Sequence, residues 1–276
     1  MIFAMKDFIL PFLEMTAQRM TAPELFGAFH LIASALTAAA AVFAAILYAK
    51  RVSKADEPFE KLVKILSVTG WILVLLEIYK QFFLYYIVNG DAYDWWFFPF
   101  QLCSVPMYLC VLLPVMVPSS QRTFLTFMAG YSFISAAAAL IYPADILRSY
   151  VALTLHGFIW HGLILFISLL ILMTGRATVS ARGLVRAAVL FAVFCVMALM
   201  INVVVEPVAH AIHAANPAVI HSYAAMFYLN PFHISSQPLV GSIQKTAGIP
   251  AGLLLYSLAV AAAGSIAAKL LNKRRV

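Results

Sequence analysis

Charge is what this sequence has least of. Only 11% of its 276 residues are Asp, Glu, Lys or Arg, against 64% that are hydrophobic. Soluble domains run to about a quarter charged and about half apolar, so the shortage excludes a soluble domain and predicts an all-α, polytopic membrane protein. Cysteine is scarce too: Cys103, Cys110 and Cys195 are the only three, all inside apolar stretches. An odd number with no C-x-x-C spacing excludes a disulfide framework and a thiolate zinc site. The chain has no glycine-rich phosphate loop, so no soluble cofactor is implied. It has no H-E-x-x-H metal motif and no internal repeat. No small-residue cleavage site follows the opening M-I-F-A-M-K-D-F-I-L-P-F, which argues against a removed signal peptide.

What is there is a series of apolar runs. Residues 1–24 mix apolar and charged side chains and are expected to form an interfacial segment broken at Pro11. Seven membrane helices are expected at 25–48, 62–88, 97–117, 124–142, 151–173, 184–205 and 249–271. They make one domain over 25–271 with a long outer loop, 207–248, and a basic tail at 272–276. The P-S-S-Q-R stretch reads as a tight loop.

The formal net charge of +7 would suit a nucleic-acid binder, but its distribution does not. Alternate loops collect Lys50, Arg51, Lys54, Lys61, Lys64, Arg122, Arg176, Arg182, Arg186, Lys269, Lys273, Arg274 and Arg275, thirteen cations; the other side holds four, Lys6, Arg19, Arg148 and Lys245. Cations accumulate on the cytoplasmic side, so the expected protein sits in the cell (plasma or inner) membrane with its N-terminus outside and its C-terminus cytoplasmic. No nucleic-acid partner is expected.

That topology assigns depths. At 1.5 Å per residue, Glu77 lies ~18 Å below the outer end of the second span. Lys80 and Gln81 lie about a turn nearer the surface, and Cys103 is roughly 6–10 Å in. His156 and His161 follow within the first turns of the fifth span, and Asn202 is near the outer end of the sixth. The polar groups thus fall in the outer half, which points to a site opening outward. Glu77 and Lys80, three apart, share a helix face and should pair; with Gln81 they either lock neighbouring helices or line the site. Gln101, Cys103 and Ser104 form a polar cluster at the start of an otherwise apolar span. A thiol near a helix N-terminus and an imidazole has its thiolate favoured, whereas a lone membrane cysteine is commonly packing. Cys110 and Cys195 lack polar company and read as packing. His156 and His161 point about 140° apart on a helix, so they cannot easily share a metal. One is expected to face the interior, the other a neighbour or the interface. Among His210, His213, His221 and His233, H-x-x-H at 210 and 213 is a weak metal match with only Glu206 for company. No metal is expected, and the loop is read as a lid over the outer mouth.

The run P-F-Q-L-C-S-V-P, E-I-Y-K in the preceding span, W-H-G-L-I-L in the fifth and the Asn202 helix resemble the YwaF-like integral membrane proteins, bacterial relatives of the transmembrane protein 164 acyltransferases. The similarity covers roughly residues 60–270. It implies a seven-helix fold and a cysteine–histidine pair that moves fatty acyl groups between phospholipids through an acyl-enzyme. By position the nucleophile is Cys103. The histidine is His161, which matches the family pattern, with His156 kept because depth favours it. Gln101 stands where a histidine often precedes the cysteine. Asn202 or Gln101 would orient the histidine or hold the oxyanion. The expectation is therefore a thiol-dependent phospholipid acyltransferase or acyl hydrolase. The rival is a non-enzymatic transporter or lipid-binding protein in which Glu77, Lys80, His156 and His161 form a polar relay.

Overall fold

Backbone groups in hydrocarbon have no water to bond, and a helix satisfies them internally. The computed structural model describes residues 2–272, and it contains no strand among them. The helices are α1 (Ile2–Thr16), α2 (Ala28–Ser53), α3 (Pro58–Phe83), α4 (Val105–Leu112), α5 (Pro118–Phe127), α6 (Phe133–Ile141), α7 (Val151–Met173), α8 (Ala181–Ala215), α9 (Pro238–Ala247) and α10 (Ile249–Leu271). A π-helical turn, Leu84–Val88, extends α3, and another, Met128–Ser132, joins α5 to α6. Six helical stretches are long and apolar enough to cross a bilayer: α2, α3 with its π turn, α5 to α6, α7, α8 and α10. A shorter apolar helix, Val105–Val115, accompanies them. The protein is a polytopic helical membrane protein.

α7 is the axis of the bundle. Two thirds of its most apolar stretch (67%) is buried, against 11% for α2. It packs on α2, α3, α6 and the second π turn. The histidines at 156 and 161 therefore sit on the most enclosed helix. Close approaches come from small residues: a Cβ at Gly70 would lie 2.7 Å from that of Cys110, fixing α3 against α4, and Gly130 of the second π turn meets the backbone of Gly264 on α10.

Four sequence expectations are corrected. The stretch 97–117 is not one helix. Pro99 and Pro106 remove donors, so residues 98–104 stay irregular and the helix starts only at Val105. The sixth helix does not stop at 205. It continues through Pro207 to Ala215, so His210 and His213 are helical rather than in the loop. α1 likewise runs through Pro11, because Leu13 is buried against Phe83, Leu84 and Leu153 and draws the chain onto the bundle. Residues 118–122 open α5, with Pro118 in the first turn where its missing N–H costs nothing. Of the predicted tail 272–276, residues 273–276 lie outside the described residues.

The irregular segments gather at one end. Arg19 bridges Tyr150, Asn216 donates to Asn89 O at 3.0 Å, and Tyr228 reaches Asp145 at 2.9 Å. The loop 216–237 is more than a lid: Val219, Ala224, Met226 and Phe227 are buried within the protein.

Candidate active site

The turn 101–104 delivers Cys103 to the N-terminus of α4. Gln101 O accepts from Ser104 N at 2.8 Å and Val105 N at 3.3 Å, closing the turn. Ser104 is the residue before the helix, so the half-buried Cys103 lies against the positive end of a helix dipole. The Ser104 hydroxyl and the Cys103 amide both lie beside the sulfur. Tyr108, one turn on, donates to Pro99 O at 2.7 Å and holds the approach.

Trp160 organises the space around this turn. Its indole N–H donates to Cys103 O at 3.2 Å. Its ring stacks on His156 at 5.6 Å, and the Lys80 ammonium sits 5.9 Å from the ring centroid. Lys80 also pairs with Glu77 Oε1 at 2.8 Å, and the same oxygen accepts from Gln81 Nε2 at 2.6 Å. Gln81 further donates to Phe97 O at 2.7 Å. Glu77 is buried, and its second oxygen, Oε2, has no hydrogen-bond partner among the described residues.

Both histidines are buried, and His156 meets the neighbouring helix α3, one of the two alternatives expected. A carbonyl can only accept, and this fixes the tautomers. His156 donates from Nε2 to Leu76 O at 3.1 Å, and His161 donates from Nδ1 to Gly157 O at 2.8 Å. His161 is thereby left with Nε2 as a free base. Among the described residues no hydrogen bond joins Cys103 Sγ to either imidazole. Lys80 lies within electrostatic range of Cys103 and both histidines.

Gln101 and Asn202 have their amides committed elsewhere. Gln101 accepts from Phe227 N at 2.8 Å and donates to Ala225 O at 3.0 Å. Asn202, fully buried, accepts from Met226 N at 2.7 Å and donates to Met226 O at 3.1 Å. Each side chain thus commits its carbonyl and one of its two amide N–H donors to the segment 225–227. Together they clamp residues 225–227 beside the thiol turn. That segment needs a clamp, because Phe227 and Tyr228 have φ of 54° and 56°, unusual for residues with side chains. Removal from water and the adjacent Asp145 carboxylate push the Tyr228 phenol well above its usual range, and it donates to Asp145 Oδ2.

Sequence reasoning did not single out Trp160, Tyr108, Asp145 or Tyr228. Trp160 was visible only as a letter in W-H-G-L; its reach to Cys103 spans 57 positions. Among the described residues the weak H-x-x-H match does not bring His210 and His213 together. His213 donates to Val219 O at 2.7 Å, and His221 meets Asp94 at 2.7 Å while stacking on Trp96. His210 instead meets Glu206 and His233.

Cys110 is fully buried with its sulfur 3.5 Å from that of Met128. Cys195 packs against the core from its edge.

The model of the TMEM164 family matches residues 25–262, most of the chain. No curated protein and no solved structure matches.

Proposed function

The chain belongs to the TMEM164 family, and from that premise we propose that it is a membrane-embedded thiol enzyme that transfers or hydrolyses the fatty acyl groups of phospholipids. Cys103 is the nucleophile and His161 the base. The observation that carries this reading is the placement of Cys103: a half-buried thiol at the start of α4, its carbonyl held by a residue of the histidine-bearing helix.

The chemistry follows from the groups present. His161 Nε2 takes the thiol proton, through a water or a small side-chain rotation, since apo hydrogen bonds of catalytic pairs are commonly long. The sulfur attacks an acyl ester carbon, and the carbon–oxygen bond to the lysolipid breaks. The imidazolium returns its proton to the departing alkoxide. A second hydroxyl, from a lipid or from water, then gives its proton to the imidazole and attacks the thioester, and the thiol is restored. The Cys103 amide and the Ser104 hydroxyl are the donors nearest the developing oxyanion. Lys80 offers a cation to a phosphate head group. An apolar groove of about 780 Å³ between α2, α3 and α7 includes Gly162, next to His161, and Ile159, and suits hydrocarbon. The charge distribution over the loops favours an outward-facing site in the plasma or inner membrane.

The test is lipid remodelling by purified protein in vesicles, with intact-mass detection of an acyl adduct. Cys103→Ala and Cys103→Ser should abolish the adduct, and His161→Ala should lower turnover by 10²-fold or more. Wild-type turnover in both Cys103→Ala and His161→Ala would sink the reading. The rival, a transporter or lipid-binding protein with Glu77, Lys80, His156 and His161 as a relay, is favoured by the unpartnered Glu77 Oε2. A relay would tolerate Cys103→Ser but not Glu77→Gln.

A further inference from the structure

Away from the thiol, three side chains converge at the far end of α8. Glu206 and His210 are four residues apart on one helix face. His233 comes back to them from the following loop. Glu206 Oε1 receives both imidazole Nε2 atoms, His210 at 3.1 Å and His233 in a short contact. The three potential ligand atoms all lie within 4.8 Å of one another. Around a zinc ion, nitrogen and oxygen ligands stand about 2.0–2.2 Å from the metal, so neighbouring ligand atoms are roughly 3–3.6 Å apart. The widest pair here needs to close by about 1 Å, which a side-chain rotation of His210 supplies, since its side chain is half exposed.

The surroundings are built to hold such a site. Asn230 Nδ2 donates to the other Glu206 oxygen at 3.1 Å and to Ala224 O at 2.7 Å. Its Oδ1 accepts from Phe232 N at 2.7 Å and His233 N at 3.1 Å. One residue therefore orients both the carboxylate and the backbone that carries a ligand, as outer partners do in metal sites. The Tyr223 ring stacks on His233 at 4.0 Å and fixes its plane. α8 has 35 residues, about 52 Å at 1.5 Å per residue. That exceeds a hydrocarbon core of about 30 Å, so these last turns reach water.

We propose that Glu206, His210 and His233 bind one divalent transition-metal ion of the zinc class, with water completing the shell. Two imidazoles and one carboxylate suit zinc and its neighbours and not magnesium or calcium, which want oxygen. The ion replaces the two N–H···O contacts, each ligating ring then carrying its proton on Nδ1. It would cross-link α8 to the loop whose residues 225–227 are clamped beside Cys103.

Full-length protein in detergent, stripped with chelator and dialysed, is titrated with zinc chloride, reading bound metal by elemental mass spectrometry and stability by thermal unfolding. One zinc per chain and a raised unfolding temperature are expected. His210→Ala, on the exposed member, should lose that zinc and the shift while folding as before, and Glu206→Gln should behave the same way. Asn230→Ala should weaken binding by about 10–100-fold. His213→Ala and His221→Ala should bind like the wild type. Equal binding by His210→Ala, no zinc on the wild type, or an equal shift with magnesium chloride would overturn the proposal.

Discussion

The indole N–H of Trp160 donates to the carbonyl of Cys103, and the same ring stacks on His156. One side chain therefore fixes the turn that bears the thiol relative to the helix that bears both imidazoles. Phenylalanine would keep an aromatic face but lose the donor and the five-membered part of the indole. A buried carbonyl left unsatisfied costs about 1–3 kcal/mol. Trp160→Phe should lower the unfolding temperature modestly and raise the rate at which a maleimide labels Cys103 several-fold. An unchanged labelling rate would mean that the contact does not hold the turn.

The amide clamp makes a second prediction. Asn202→Ala leaves the Met226 N–H without a partner in a fully buried place, while Met226 O keeps the Leu229 N–H. One unsatisfied donor should cost about 1–3 kcal/mol, and Gln101→Ala, which orphans the Phe227 N–H while Ala225 O keeps the Tyr228 N–H, a similar amount. Limited proteolysis should then cut within 220–232 in either variant, where the parent resists. Resistance equal to the parent in both would show that the segment is held by packing alone.

The Glu77–Lys80 pair is expected to behave as a unit. With the side chains 6% and 21% exposed, removing one partner leaves a buried charge, at a cost of about 3–5 kcal/mol. Glu77→Gln should destabilise by that order. Adding Lys80→Met to it should recover part of the loss instead of deepening it. A double-mutant cycle on thermal or denaturant unfolding decides, and simple additivity would show the two charges to be independent.

Gly70 tests the seat of α4. A methyl group there would lie 2.7 Å from Cys110 Cβ and 3.0 Å from Val111 N, one of them main chain. Gly70→Ala should cost about 1–3 kcal/mol by overpacking. Pairing it with Cys110→Ala should not rescue it, because alanine keeps the clashing Cβ and Val111 N remains in the way. Rescue by Cys110→Ala would place the constraint on the cysteine sulfur instead of on Cβ and the main chain.

The sequence revealed the continuous elements and hid the interrupted ones. α7 and α10 run over 151–173 and 249–271 as their unbroken apolar stretches predict. The α4 region was misread because its hydropathy is that of a span, while Pro99 and Pro106 decide its backbone. α8 was cut short at Pro207 because proline usually ends a helix, yet here the loss of one hydrogen bond is outweighed by what the next two turns make, including Glu206 to His210. At the site, Glu77 with Lys80 was legible from spacing alone, since three residues on a helix share a face. The link from Trp160 to Cys103, the grip of Gln101 on residues 225–227 and the approach of His233 to Glu206 each join distant parts of the chain. No local period encodes such contacts; they exist only once the helices have packed.

The paired positive φ angles at Phe227 and Tyr228 have a mechanical consequence. A left-handed residue with a side chain costs roughly 1–2 kcal/mol, so this stretch is a cocked spring, and Gln101 and Asn202 are its two catches. What the two amides hold beside Cys103 is therefore a backbone that carries its own cost, and removing either one would let residues 225–228 relax.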